Sequence, residues 1–292
     1  MSIRGRIVTV AATWKELHTA ALREPDEDAP RLALAEYYRK ADPELGRFIE
    51  LQIQIGVLRR AGRAPNYKAD DECDRLLTKH GPRWNQTIAK YTQDQDFDRG
   101  MISRVSVDPH IFLEYGAWLF VNAPIRSVFF TAAKNGAFPL EELLASELIT
   151  RLDSIALVGL GLKNADVDAI AASPGLHRLL GLSLSDNPLS LPAFEAIAAS
   201  PHLGSLLSVA RRSDARPHTY SPAAEYAITD RDDMDGRPIW DYRELPPDGV
   251  ALEAKHGYLP WLHPKDNGCS PFDARYNVER GKLPVKPRGT PV

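Results

Sequence analysis

The chain has 292 residues, enough for two ordinary domains or one domain with extensions. Its apolar fraction of 43% is that of a soluble fold, and a net charge of -3 gives no general case for nucleic acid or an anionic membrane as partner. Two distant cysteines, Cys73 and Cys269, make no disulfide framework, and no segment approaches the ~20 apolar residues that span a bilayer.

The N-terminal run Ile7–Ala12 lacks the length and cleavage pattern of a secretory signal, so the expectation is a soluble cytoplasmic protein. Trp14, Leu17, Ala20 and Ala21 have helical spacing. The acidic, proline-bounded stretch Glu24–Pro30 ends that helix and supplies negative charge to the start of the next, near Arg31–Lys40. Leu32, Leu34, Ala35 and Tyr38 are its candidate core residues. Asp42-Pro43 opens a third helix. Its Leu45, Phe48, Ile49, Leu51, Ile53, Ile55 and Leu58 are dense enough to bury most of it. A loop at Gly62–Asn66 precedes two short helical pieces, Cys73–Leu77 and Trp84–Ile88, on either side of His80-Gly81-Pro82. Residues 1–99 thus read as an all-helical module.

Next, Ile102–Val107 alternates as a strand does, and Asp108-Pro109 starts a helix over His110–Val121. A period of 27 residues then runs without gaps from Ile125 to Leu203. Leu179, Leu182, Leu184, Asn187 and Leu189 read L-x-x-L-x-L-x-x-N-x-L. One period earlier the slots hold Leu152, Ile155, Leu157, Leu160 and Leu162; before that, Ile125, Val128, Phe130, Ala133 and Asn135. Ala169–Pro174 recurs unchanged at Ala196–Pro201. Each period reads as a short strand plus a helix. One such unit cannot bury its own face, so neighbours must share a continuous core. Asn187 is expected to satisfy backbone groups at the bend after its strand; Leu160 and Ala133 cannot, so those bends need another partner. Val209 keeps the strand slot while Arg211 and Asp214 break the pattern, which is how a terminal capping repeat reads.

Eleven of the 23 prolines follow Arg216, yet aromatic residues persist there, so the composition is not that of a disordered chain. The expectation for 217–292 is extended, proline-punctuated segments lying against the repeats or a partner, with at most a short helix at Pro222–Ile228.

The stretch Pro25-x-x-Asp28-Ala29-Pro30-Arg31-Leu32, followed by Ala35-Glu36-Tyr37-Tyr38, Asp42-Pro43 and Gly46–Gln52, resembles the bacterial repeat-companion domain. That family shows P-x-D-x-x-x-R-L, A-D-W-L and E-F-I-x-L-Q; here A-D-W-L has become Ala35-Glu36-Tyr37-Tyr38. Gly81-Pro82-x-Trp84 and Phe97-Asp98-Arg99-Gly100 resemble the join between that module and its repeats. The resemblance implies a helical module ahead of leucine-rich repeats, and the 27-residue period is similar to the helix-backed, ribonuclease-inhibitor-like class. It implies no particular activity. The expected architecture is therefore α/β: a helical repeat-companion module over 1–99, a leucine-rich-repeat solenoid over 100–216 with three regular repeats at 125–203, and a Pro/aromatic-rich irregular tail over 217–292.

No G-x-S-x-G, H-E-x-x-H, Walker-type or G-x-G-x-x-G motif occurs. His256, His263 and Cys269, with Asp266 between, are metal-ligand types, but H-x6-H-x5-C matches no zinc spacing and lacks a fourth ligand. Asp230–Gly236 fails as a calcium loop, because aligning Gly236 puts Arg231 and Tyr242 where oxygen ligands belong. Arg59, Arg60, Arg63 and Lys68 have one neighbouring aromatic, Tyr67, and read as a solvated helix end rather than a nucleic-acid face. His80 has no orienting partner, and Cys73 lies seven residues away.

The strand positions alternate to those in the core are Ser127, Phe129 and Thr131; Ser154, Ala156 and Val158; Gly181, Ser183 and Ser185. This strip is small, weakly polar and uncharged, and suits close approach by another backbone, including the chain's own tail. The expected function is non-catalytic protein binding, as an adaptor, regulatory subunit or immunity-type inhibitor, with no cofactor and a protein partner, one encoded nearby among the candidates. Phe129, Trp240, Tyr242, Tyr258 and Trp261 are its candidate contact residues, since aromatics dominate interface centres. Two alternatives stand beside it: a chain whose tail is the substrate of a protease or modifying enzyme, and an enzyme or metal protein using His256, His263 and Cys269.

Overall fold

The computed structural model describes residues 13–60, 66–134, 136–210, 228–232, 238–240 and 247–263. The fold is mixed α/β and mostly helical, with five parallel strands in one sheet. No helix among the described residues is long and apolar enough to cross a membrane. The chain divides into two compact units, Met1–Thr87 with Phe97–Ile102, and Ile88–Asp96 with Ser103–Val292.

In the first unit, Thr13 caps α1 (Trp14–Arg23) through a capping box with Glu16. Next come α2 (Asp28–Ala41), α3 (Pro43–Arg60) and α4 (Tyr67–Trp84). Helices α2 and α3 approach closely because of Gly46, where a Cβ would stand 2.9 Å from the Ala35 carbonyl oxygen. Phe48, Leu51 and Ile55 of α3 meet Ala69, Cys73 and Leu76 of α4 in one core cluster, with Trp84 and Phe97 packed against it. The two helical pieces expected around His80-Gly81-Pro82 are one helix. Pro82 sits in the last turn of α4, where its missing N–H costs one helical bond without breaking the remainder.

In the second unit, β1 (Gln95–Asp98) and β2 (Met101–Val107) lead the sheet, whose arms here are Gln95–Asp96 and Ser103–Val107. Then follow α5 (Pro109–Asn122), β3 (Ser127–Phe130), α6 (Leu140–Ala145), β4 (Ser154–Ala156), α7 (Asn164–Ala172), β5 (Gly181–Ser183), α8 (Leu191–Ala199) and β6 (Ser208–Ala210). The strand order is β1-β2-β3-β4-β5-β6, with no crossover past a neighbour. Ser127 pairs with Ser154, Ser154 with Gly181 and Gly181 with Ser208, so the strands hold the 27-residue period of the leucines as their register. The first step is shorter: Arg104 pairs with Ser127.

Three polar slots knit successive periods. Asn187, 6% exposed, accepts at Oδ1 from the Leu160 and Leu162 amides at 3.0 Å each. Its Nδ2 donates to the carbonyls of Leu157 (2.7 Å), Leu184 (2.9 Å) and Ser185 (3.1 Å). The bend that Leu160 cannot serve is thus served from the following period. At the bend after β3, Asp108 takes the role: it accepts from His110 and Ile111 as the cap of α5, and from the Lys134 amide at 2.9 Å. Finally, Ser146, Ser173 and Ser200 end α6, α7 and α8 in one shared slot. Ser173 donates back to the Leu144 carbonyl, and Ser200 donates to the Ala171 carbonyl one period on.

Past β6 the strands β7 (Ile228–Asp232) and β8 (Pro238–Trp240) pair antiparallel. The extended tail expected from the prolines instead contains a ten-residue helix, α9 (Pro247–His256). Proline opens it, Asp248 lies in its first turn, Lys255 and His256 in its last, and Gly257 at φ 73° ends it. Helix α9 packs on α8, and the short 3-10 turn Pro260–Leu262 packs on β6. The expected helix at Pro222–Ile228 lies outside the described residues except for Ile228, which starts β7.

Candidate functional site

The strip of alternate strand positions is partly open at Ser127, Phe129 and Thr131 and again at Val158. Ser127 and Phe129 are half-buried, whereas Ser154 is 5% exposed, Ala156 1%, Ser183 6% and Ser185 8%. The Ser127 and Ser154 hydroxyls are buried without a hydrogen-bond partner. Small residues here permit close cover, as expected from their size, but most of the strip is not free surface.

Tyr258 and Trp261 face inward. Tyr258 is 6% exposed and stacks on His263 with centroids 4.7 Å apart; Trp261 is 2% exposed and lies 6.5 Å from the Phe194 ring of α8. With Leu252, Leu259 and Leu262 they close the apolar interior beyond β6. Their area is therefore spent within the chain, and they are not surface anchors. Trp240 lies on β8 opposite Ile228, and Tyr242 lies outside the described residues.

His263 is held by the buried Glu253: its Nε2 lies 2.7 Å from Oε1, and the same oxygen accepts from the Leu259 amide at 2.9 Å. His256 ends α9, while Asp266 and Cys269 lie outside the described residues. Among the described residues no three His, Cys, Asp or Glu side chains gather as a metal site. Asp230–Asp232 lie on β7, and the rest of that acidic stretch is outside the description. Arg59 and Arg60 end α3, Lys68 lies on α4, and Arg63 is not described. Burial pushes the Cys73 thiol up to about 11, reinforced by Asp70, Asp74 and Glu72, so it stays protonated at neutral pH and packs as an apolar group. His80 stacks on Trp84 at 5.3 Å.

An apolar groove between α2 and α3, of about 570 Å³, was not signalled by the motifs. Leu32, Ile53, Val57 and Leu58 line it, with Gln54 and Asn66, and the Arg39–Glu50 ion pair (2.6 Å) at its edge. Leu32, a candidate core residue of α2 in the sequence, is 45% exposed, and Val57 of α3 is 49% exposed. Leu34 and Ala35 take the core side of α2, which turns Leu32 away from it. The signal was present in α3, whose Phe48, Leu51 and Ile55 meet α4 and whose Ile49 and Ile53 meet α2, while Val57 belongs to neither cluster. Such surplus marks an unfilled contact.

No protein-family model, curated protein or solved structure matches this chain.

Proposed function

We propose that this chain is a non-catalytic protein-binding protein, with a repeat-companion module ahead of a short leucine-rich-repeat solenoid, and that the α2–α3 groove is where its partner binds. The carrying observation is that groove: two large aliphatic side chains, Leu32 and Val57, stand nearly half exposed above a floor made by Ile53 and Leu58. Contiguous apolar surface of this kind marks interaction sites. The volume accommodates several aliphatic side chains, both walls are helices, and the edge carries one charge of each sign. These features fit the apolar stripe of an amphipathic partner helix, read at i, i+3, i+4 and i+7. The aromatic tail, which the composition favoured as the contact region, supports the repeats through Tyr258 and Trp261.

The test is affinity capture from the native host with the wild-type chain and with Val57→Glu, an exposed substitution that leaves the core intact. The wild type is expected to recover one stoichiometric partner and the variant to lose it by at least about tenfold, as for a charge placed in an interface centre. No stoichiometric partner, or equal recovery by both, overturns the reading.

A further inference from the structure

Two buried arginines of the helical unit, Arg31 and Arg99, converge on a single turn. Arg99 and Gly100 join β1 to β2 with φ of 49° and 80°, the two-residue arrangement of a type I′ hairpin. Glycine is at home there; arginine is not, and the left-handed conformation costs it about 1 kcal/mol or more. Asparagine or aspartate would be the ordinary choice. The side chain at this position is therefore retained for what its far end does.

That end is 2% exposed and enclosed by the loop between α1 and α2. Its Nη1 donates to the Asp26 carbonyl at 2.7 Å and the Asp28 carboxylate at 3.2 Å. Its Nη2 donates to the Pro25 carbonyl at 3.0 Å, and Asp98 braces the same guanidinium at 3.1 Å. Arg31 answers from α2: its Nη1 donates to the carbonyls of Asp98 at 2.6 Å and Arg99 at 3.1 Å. Gln52 of α3 reads both arms, accepting from the Gly100 amide at 2.6 Å and donating to the Phe97 carbonyl at 3.4 Å. Ile49 excludes any side chain at position 100, where a Cβ would lie 2.1 Å from its Cγ1.

We propose that the helical unit is a receptor for an arginine–glycine turn, and that Asp98-Arg99-Gly100 is its resident ligand, held in cis. Each chemical part of the turn has its own reader. Carbonyls and a carboxylate take the planar guanidinium, Arg31 takes the turn carbonyls, Gln52 takes one amide and one carbonyl, and Ile49 selects glycine. This is a binding site of defined ligand class, formed by Pro25, Asp26, Asp28, Arg31, Ile49 and Gln52. It does not rest on the α2–α3 groove or on the protein-binding reading.

The site makes a specific demand: it recognises a fork of N–H donors, not merely positive charge. Full-length Arg99→Ala vacates the guanidinium place without adding bulk. Ethylguanidinium at millimolar concentration is expected to raise the thermal midpoint of Arg99→Ala and leave the wild type unchanged, while ethylammonium raises neither. If Arg99→Ala is unfolded at room temperature, the readout becomes recovery of helical circular dichroism, with the same order of the two ions. A second variant, Gly100→Ala, keeps the guanidinium, meets Ile49 and strains the turn at φ 80°. Its amide exchange at Leu34 and Phe48 is expected to rise by about tenfold or more while that at Leu182 and Leu184 is unchanged. Rescue by both ions alike, rescue by neither, or exchange at Leu182 rising as much as at Leu34 overturns the proposal.

Discussion

The carbonyls of the α1–α2 loop and of the β1–β2 turn are taken by charged groups in the helical unit, whereas the bend after β4 and the carbonyls at the ends of α6 and α7 in the strand–helix unit are served by neutral ones. Around Pro25, Asp26, Asp98 and Arg99 the carbonyls are taken by Arg31 and Arg99. Around Leu157–Leu162 and at the helix ends the partners are the Asn187 amide and the hydroxyls of Ser173 and Ser200. The difference follows from what each unit must accomplish. A guanidinium carries donors only and reaches far, so it can gather carbonyls from segments distant in sequence; Arg31 and Arg99 are 68 residues apart. An amide carries donors and an acceptor on one short stem, so it closes a bend against its neighbour and can be reused at each period. Long-range closure here uses buried guanidiniums, while closure between neighbouring periods uses an amide, hydroxyls and, after β3, the Asp108 carboxylate.

Arg31→Met probes the charged side of this contrast most severely. The variant keeps the bulk at 1% exposure but takes the Arg31 donors from the Asp98 and Arg99 carbonyls and one of two donors from that of Pro25, with a cost of about 3–5 kcal/mol in urea unfolding. Hydrogen exchange should place the loss in α1–α3 and spare β4–β6. Asn187→Leu puts into the bend the residue type that the previous period already carries at Leu160. It leaves the Leu160 and Leu162 amides and the Leu157 carbonyl without their partner, for about 3 kcal/mol. A loss below about 1 kcal/mol would mean that the bend finds water or a new partner, and would remove the asymmetry between the two units.

The smallest effect is the pH dependence of two carboxylates within the strand–helix unit. Burial pushes the Asp108 carboxyl up, but backbone donors from Lys134, His110 and Ile111 outweigh it and hold the group below its ordinary 3.8. Its stabilisation is present above that value and is lost as pH falls through the lower folded value. Asp153 is opposite: burial raises it above 3.8, and the nearby Arg126 and Arg178 only partly offset this. The folded state then holds the proton more tightly, so this group adds stability as pH falls from its raised value toward 3.8 and gives it up as pH rises. Stability measured from about pH 6 down to 3 should therefore show slopes of opposite sign removed by Asp108→Asn and Asp153→Asn. Slopes of the same sign would mean that burial does not outweigh Arg126 and Arg178 at Asp153.

The register of β3–β6 was legible because every period repeats the same buried slots, so Val128, Ile155, Leu182 and Val209 align in the sequence as they do in space. Asn187 was legible for a related reason: a buried amide among leucines has to serve the backbone. Its direction of service, back to the preceding bend, was not, because L-x-x-N reads the same either way. The cradle of Arg31 and Arg99 was visible only as fragments of a motif, since the partners lie far apart along the chain. Helix α9 was masked by composition: prolines before and after it outweighed a short apolar stretch, Val250–Ala254, although Pro247, Asp248 and Gly257 are ordinary helix bounds. Likewise, periodicity in α3 showed which residues are apolar but not that α2 leaves Val57 uncovered.

The bonds of Asn187 also have an order in time. The Leu162 amide precedes by 25 residues the side chain that completes it. During synthesis that bend emerges unfinished and waits for the following strand, whereas the bend after β3 meets in Asp108 a partner that has already been made.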